Sequence, residues 1–149
     1  MAFQKYQATR TTQTSMRVDS NYPLCWLTQP EKADGKPSSI VLNPAAVEML
    51  GGLGSRVEVY WDGDTGRWGF IPVPEGHPGS LAVSGGGRDG VTTGRIALAG
   101  IVKRFPDVLG HASGVWRLTR QGGDEFRVAR PVNAAESAEI AGFTRAAER

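Results

Sequence analysis

Apolar positions along the chain fall in short runs, broken by glycine and proline, rather than in the long stripe of a helical bundle. Ser39-Ile40-Val41-Leu42 reads as a strand. Asn43-Pro44-Ala45-Ala46-Val47-Glu48-Met49-Leu50 then predicts a short helix with both ends marked. Asn43 can accept from the free amides of the first turn, Pro44 suits the first helical position, and Gly51-Gly52 tolerates the left-handed backbone that ends a helix. Residues 56 to 62 (Arg-Val-Glu-Val-Tyr-Trp-Asp) and 67 to 73 (Arg-Trp-Gly-Phe-Ile-Pro-Val) alternate on either side of a turn at Gly63 to Gly66, which predicts a hairpin.

The same plan recurs further on. Arg95-Ile96-Ala97-Leu98 reads as a strand, Ala99 to Phe105 as a short helix stopped by Pro106, and Val115 to Arg120 with Glu125 to Val132 as a hairpin turning at Gly122-Gly123. Ile40 aligns with Ile96, Val57 with Val115, Phe70 with Val128 and Val73 with Val132 at an almost constant offset. Candidate strands also precede each half, at Met16 to Leu27 and at Ser80 to Val83. The chain therefore divides into an N-terminal arm (1–15), a first repeat (16–75), a Gly/Ser/Pro connection that includes the first strand of the second repeat (76–94), a second repeat (95–132) and a C-terminal helix or tail (133–149). Each ββαββ unit exposes an apolar face it cannot cover alone. Two copies are expected to close on each other about a pseudo-two-fold axis as one mostly β barrel with short helices. The expected core is Ile40, Leu42, Val47, Leu50, Val57, Val59, Trp61, Ile96, Leu98, Ile101, Val102, Phe105, Trp116, Leu118, Phe126 and Val128.

Composition narrows the classes. With 149 residues, 40% hydrophobic and 21% charged, the chain is of globular type and can bury a self-sufficient core. Its one cysteine, Cys25, excludes an internal disulfide and a cysteine-based zinc site. No apolar run is long enough to span a membrane, and Met1 to Arg10 lacks the apolar core of a signal peptide, so a cytoplasmic protein is expected. The arm and the connection are expected to be mobile or ordered by a partner. Asn133-Ala134-Ala135-Glu136 has the spacing of a helix-starting box, and Ile140 and Phe143 fall on one face of the helix it would start.

The unit Ile40-Val41-Leu42-Asn43-Pro44-Ala45-Ala46-Val47 with Leu50-Gly51, Arg56-Val57-Glu58-Val59 and a hairpin closing at Ile71-Pro72-Val73 resembles the AbrB/MazE-like swapped-hairpin module of bacterial transcription regulators and antitoxins. It is also similar to small uncharacterised bacterial and phage proteins that begin Met-Ala-Phe and carry an Ile-x-Leu-Asn, Leu-Gly, Val-Glu-x-Tyr-x-Asp series. The resemblance covers about two thirds of the chain and rests on fold markers. In that family two identical chains form the DNA-binding barrel, so a duplicated chain is expected to be its own pseudo-dimer. The family's basic residues have partial counterparts at Arg17, Arg88 and Arg95.

Charge is unevenly spread although the net is only +2. Residues 31 to 75 hold four basic and seven acidic side chains, whereas residues 88 to 130 hold eight basic and four acidic. Strand alternation is expected to place Arg117 and Arg127 on one exposed face, with Arg120 and Arg130 at its edges and Lys103 and Arg104 beside it. Arg88, Arg95, Lys103, Arg104, Arg117, Arg120 and Arg127 are the candidate nucleic-acid contacts, neutralising phosphates rather than reading bases. DNA is the expected partner. The competing expectation is an assembly protein, in a virion, whose arm and oppositely charged halves associate head to tail.

Other motifs carry less chemistry. Asp62-Gly63-Asp64-Thr65-Gly66 lacks the distal ligands of a calcium loop and reads as a turn. Gly85 to Gly90 lacks the Lys-Ser/Thr pair of a phosphate loop, and Ser113 sits one place too late for a nucleophile elbow. His77 and His111 read as solvated loop residues, Cys25 as a small buried hydrophobe, and Trp61 with Trp68 as cross-strand packing partners. No catalytic constellation, cofactor motif, metal site or small-molecule substrate is indicated. A non-enzymatic binding module is the expectation.

Overall fold

The computed structural model describes residues 21–28, 36–85, 93–121 and 125–138. Its strands are β1 (Leu24–Leu27), β2 (Ser39–Leu42), β3 (Arg56–Asp62), β4 (Arg67–Val73), β5 (Leu81–Ala82), β6 (Ser84–Gly85), β7 (Gly94–Ala97), β8 (Val115–Arg120) and β9 (Arg127–Pro131). Helix α1 (Pro44–Met49) follows β2, and helix α2 (Ala99–Arg104) with a 3-10 turn (Pro106–His111) follows β7. Residues 134–138 are helical. The expected arm (1–15), Arg17, Arg88, Ile140 and Phe143 lie outside the described residues.

All nine strands join one antiparallel sheet in the order β5-β3-β4-β9-β8-β1-β2-β7-β6. The two edge strands, β5 and β6, are separated in sequence by Val83 alone, so the two edges lie beside each other and the sheet is a nearly closed barrel. Val83 makes the join. Its amide donates to the Ser55 carbonyl (2.9 Å) and its carbonyl accepts from the Gly54 amide (2.8 Å), while the next residue, Ser84, pairs with Arg95. Within the expected connection at 76–94, residues 81–85 are thus part of the barrel wall.

The inside of the wall is filled from seven of the nine strands: Cys25, Leu27, Ile40, Leu42, Val57, Trp68, Phe70, Ile96, Trp116, Leu118 and Ala129 are buried, and Val47, Leu50 and Leu98 join them from the connections. Val59, Trp61, Ile101, Val102 and Phe105 pack on this core half-buried. A barrel of short strands needs close backbone approaches, and Gly94 supplies one. A Cβ there would lie 2.8 Å from Val47 Cγ2 and 3.0 Å from Val83 Cγ1.

Strand β1 is buried on both faces. Cys25 and Leu27 point inward, whereas Leu24 and Trp26 form a second apolar cluster with Val41, against which Tyr22, Val115 and Val132 pack. Asn43 ties this strand to α1. It is fully buried, its Oδ1 accepts from the Ala46 amide (3.0 Å) and the Leu24 amide (2.9 Å), and its Nδ2 donates to the Tyr22 carbonyl (2.7 Å). Gly51, at φ 104°, ends the helix as expected.

One part of the expected core is turned over. Leu118 faces Ala129 and Arg120 faces Arg127, whereas Thr119 faces Val128. Directly opposed residues share a face of the sheet, so Arg127 follows Leu118 and Ala129 to the inside while Val128 lies outside with Phe126. Arg127 is 7% exposed and Val128 half-buried. Phe126 lies across Gly69, where a Cβ would come within 2.5 Å of its Cζ, and its ring centroid is 5.8 Å from that of Tyr60.

Candidate nucleic-acid interface

The expected basic residues separate into three groups. Arg95 points outward from β7 in a row whose register partners are Ser84, Val41, Trp26 and Val115 across four neighbouring strands. It is exposed, as are Lys103 and Arg104 in the last turn of α2; Arg120 is also exposed, at the end of β8, but its register with Arg127 puts it on the opposite face of the sheet from Arg95. Cations in a last helical turn sit favourably against the helix dipole, so Lys103 and Arg104 are held there at no electrostatic cost. The Arg104 guanidinium lies 5.8 Å from the Phe105 ring centre. From Thr93 to Pro106 the chain holds Arg95, Lys103 and Arg104 and no carboxylate, and none of these three forms an ion pair with another described residue.

Arg117 forms the second group. It is outward-facing as expected, but it shares its face with its register partner Arg130, not with Arg127. Both guanidiniums converge on Glu136, which is 6% exposed. Arg117 Nη1 donates to Oε2 (2.8 Å), and Arg130 Nη1 and Nη2 donate to Oε1 (2.7 Å) and Oε2 (2.8 Å). Asn133 and Glu136 complete a reciprocal capping box: the Glu136 amide donates to Asn133 Oδ1 (2.8 Å) and the Asn133 amide to Glu136 Oε1 (3.1 Å). The Arg130 hydrogen bonds, with the Asn133 amide and Arg117 behind them, hold the Glu136 carboxyl at about 2, well below its ordinary value. The same contact raises Arg130. The Arg117 guanidinium lies over the Tyr22 ring, its central carbon 4.0 Å from the ring centre.

Arg127 is the third case. The inversion of β9 puts it inside the barrel wall, beside Phe70 and Arg120 in register, so the expected shared surface of Arg117 and Arg127 does not form. Sequence reasoning missed Glu136 as a counter-ion and Tyr22 altogether. The Asn133-x-x-Glu136 spacing marks Glu136 as a cap, and nothing in a linear pattern shows that this cap also folds back over two arginines of the preceding hairpin.

The barrel end near the β3–β4 turn is aromatic rather than reactive. Trp61 and Trp68 pack across the hairpin with ring centres 4.6 Å apart and planes tilted by 53°, Trp61 Nε1 donates to Asp107 Oδ2 (2.9 Å), and Trp116 Nε1 donates to the Gly66 carbonyl (2.8 Å). His111, expected in solvent, is half-buried with its ring 5.1 Å from Trp61. His77 lies 3.5 Å from Glu58 Oε1. Asp62 serves its own turn, accepting from the Thr65 hydroxyl and the Asp64 amide, which lower its carboxyl. Burial pushes the Cys25 thiol up, away from a reactive thiolate. Among the described residues no group of three or more His, Cys, Asp or Glu side chains could hold a metal, and no helix is long and apolar enough to cross a membrane.

Comparison with protein-family models, with curated proteins and with solved structures gave no match.

Proposed function

We propose that this chain is a non-enzymatic nucleic-acid-binding module, a duplicated AbrB/MazE-like barrel that grips the backbone of duplex DNA through Arg95, Lys103, Arg104 and Arg120. The observation that carries this reading is the β7–α2 segment, where three exposed cations follow one another without an intervening carboxylate. Such side chains are suited to releasing phosphate counterions, and they give affinity without base reading.

The duplication has support in the strand register. Ile40 faces Ile96 where β2 meets β7, and Gly69 faces Val128 while Phe70 faces Arg127 where β4 meets β9. A two-fold axis relating the aligned halves would bring equivalent strands together at these two seams. If β5, Val83 and β6 are read as one strand equivalent to β1, exchanging the halves leaves the order around the barrel unchanged.

The test is a titration of labelled duplex and single-stranded DNA at two salt concentrations. Binding is expected to weaken steeply with salt, and Arg95→Ala, Lys103→Ala and Arg104→Ala should each reduce the logarithmic salt slope by about 1. Absence of salt-dependent binding at low ionic strength overturns the reading. The unequal charge of the two halves favours a second one, head-to-tail assembly, with the arm at 1–15 reaching a neighbour. Particles far above 15.9 kDa in light scattering, dispersed by salt, together with no DNA binding, would select it.

A further inference from the structure

We infer that Arg117, Arg130 and Tyr22 form a phosphate-binding site that Glu136 occupies in cis, so that the helical segment at 134–138 competes with the nucleic-acid backbone for it. The inference deepens the nucleic-acid reading and rests on it for the source of the phosphate. Two guanidiniums on adjacent strands converge on one carboxylate, and one of them also packs over an aromatic ring. That arrangement suits an oxyanion with several acceptor atoms. The carboxylate fills it incompletely. Both of its oxygens are engaged, yet Arg117 Nε is buried and has no hydrogen-bond partner among the described residues. A phosphate presents further oxygens, and one of them can meet that donor while the others replace Oε1 and Oε2.

Charge points the same way. Two arginines against one glutamate leave the site with a surplus positive charge even when closed. The occupant is attached through a short box, Asn133 to Glu136, rather than through a strand of the barrel. Lifting it therefore costs the cap and the ion pairs and leaves the sheet intact. A protein that binds weakly through Arg95, Lys103, Arg104 and Arg120 would gain two further phosphate contacts when the segment moves away.

The discriminating variant is Glu136→Gln. Glutamine still closes the capping box but removes the charge that competes with phosphate. The wild type, Glu136→Gln and Glu136→Gln/Arg130→Ala are titrated with labelled duplex DNA across a salt series, and in parallel with inorganic pyrophosphate followed by NMR of the arginine Nε–H signals. Glu136→Gln is expected to bind duplex about tenfold tighter, the size of one charged hydrogen bond, with a salt slope steeper by about 2, and Arg130→Ala should cancel the gain. Pyrophosphate should shift the Arg117 Nε–H signal in Glu136→Gln more than in the wild type.

If the wild type binds duplex and Glu136→Gln binds it no tighter, the cis-occupied site is wrong and the nucleic-acid reading survives. If neither protein binds duplex but Glu136→Gln takes up pyrophosphate, the site stands and its assignment to nucleic acid falls. If Glu136→Gln takes up neither probe while its circular dichroism matches the wild type, the site is refuted.

Discussion

Asn43 shows how much one side chain can hold in a barrel of short strands. It caps α1, satisfies the Leu24 amide and grips the Tyr22 carbonyl, all from a fully buried position. Removing it leaves two amides and a carbonyl without those partners, a larger loss than an ordinary cap. Asn43→Ala is expected to lower the stability measured by urea unfolding by about 2–4 kcal/mol, against about 1 kcal/mol for an exposed cap. Asn43→Ser, which keeps an acceptor near the helix start, should lose less. Gly69 offers a second residue-scale test. The ring of Phe126 occupies the space a Cβ would need, so Gly69→Ala should cost about 1–3 kcal/mol and its effect should shrink in a Phe126→Ala background.

At the scale of elements, what could be read from the sequence was whatever local chemistry decides. Asn43-Pro44 and Gly51-Gly52 bracket α1, the alternation around Gly63 to Gly66 gives the β3–β4 hairpin, and Trp61 packs against Trp68 as their spacing implies. The face of β9 was not legible. Phe126-Arg127-Val128 alternates as though its apolar members point inward, but the register with β8 is fixed by the whole barrel and turns Arg127 in. The candidate site shares this cause, since alternation alone places Arg127 at the surface. The solvated placement of His111 failed for a related reason: the indoles of Trp61 and Trp116 come from two different hairpins and meet its ring only in space.

The helical segment at 134–138 carries its own prediction. The Glu136 carboxyl titrates at about 2 when docked and at its ordinary 4.5 when free. A carboxylate lowered in this way contributes stability that is complete above pH 4.5 and drains away as pH falls toward 2. Amide exchange at residues 134–138 should therefore accelerate in that window, before the barrel strands open, and Glu136→Gln should remove this acid dependence. Uniform loss of protection across β8, β9 and the segment together would show instead that the segment and the sheet open as one unit.

For the molecule as a whole, the strand order makes the two halves inseparable. β1 lies between β2 and β8, β2 meets β7, β3 meets β5, and β4 meets β9, so four seams join the first half of the chain to the second through hydrogen-bonded strands. Neither half closes its own core. Urea unfolding is expected to give a single transition, with tryptophan fluorescence and far-ultraviolet circular dichroism changing together. Two resolved transitions would contradict this interleaving.

The join at Val83 also fixes the tolerance of the chain to length changes. Ahead of it the backbone is keyed to β3, behind it to β7, with no spare residue between the two ladders. Adding or deleting one amino acid at this clasp would put the cylinder's two margins out of step. Because neighbouring side chains in a strand point to opposite faces, that single-place slip would exchange lining for exterior along one margin, whereas the same edit in a loop would be absorbed.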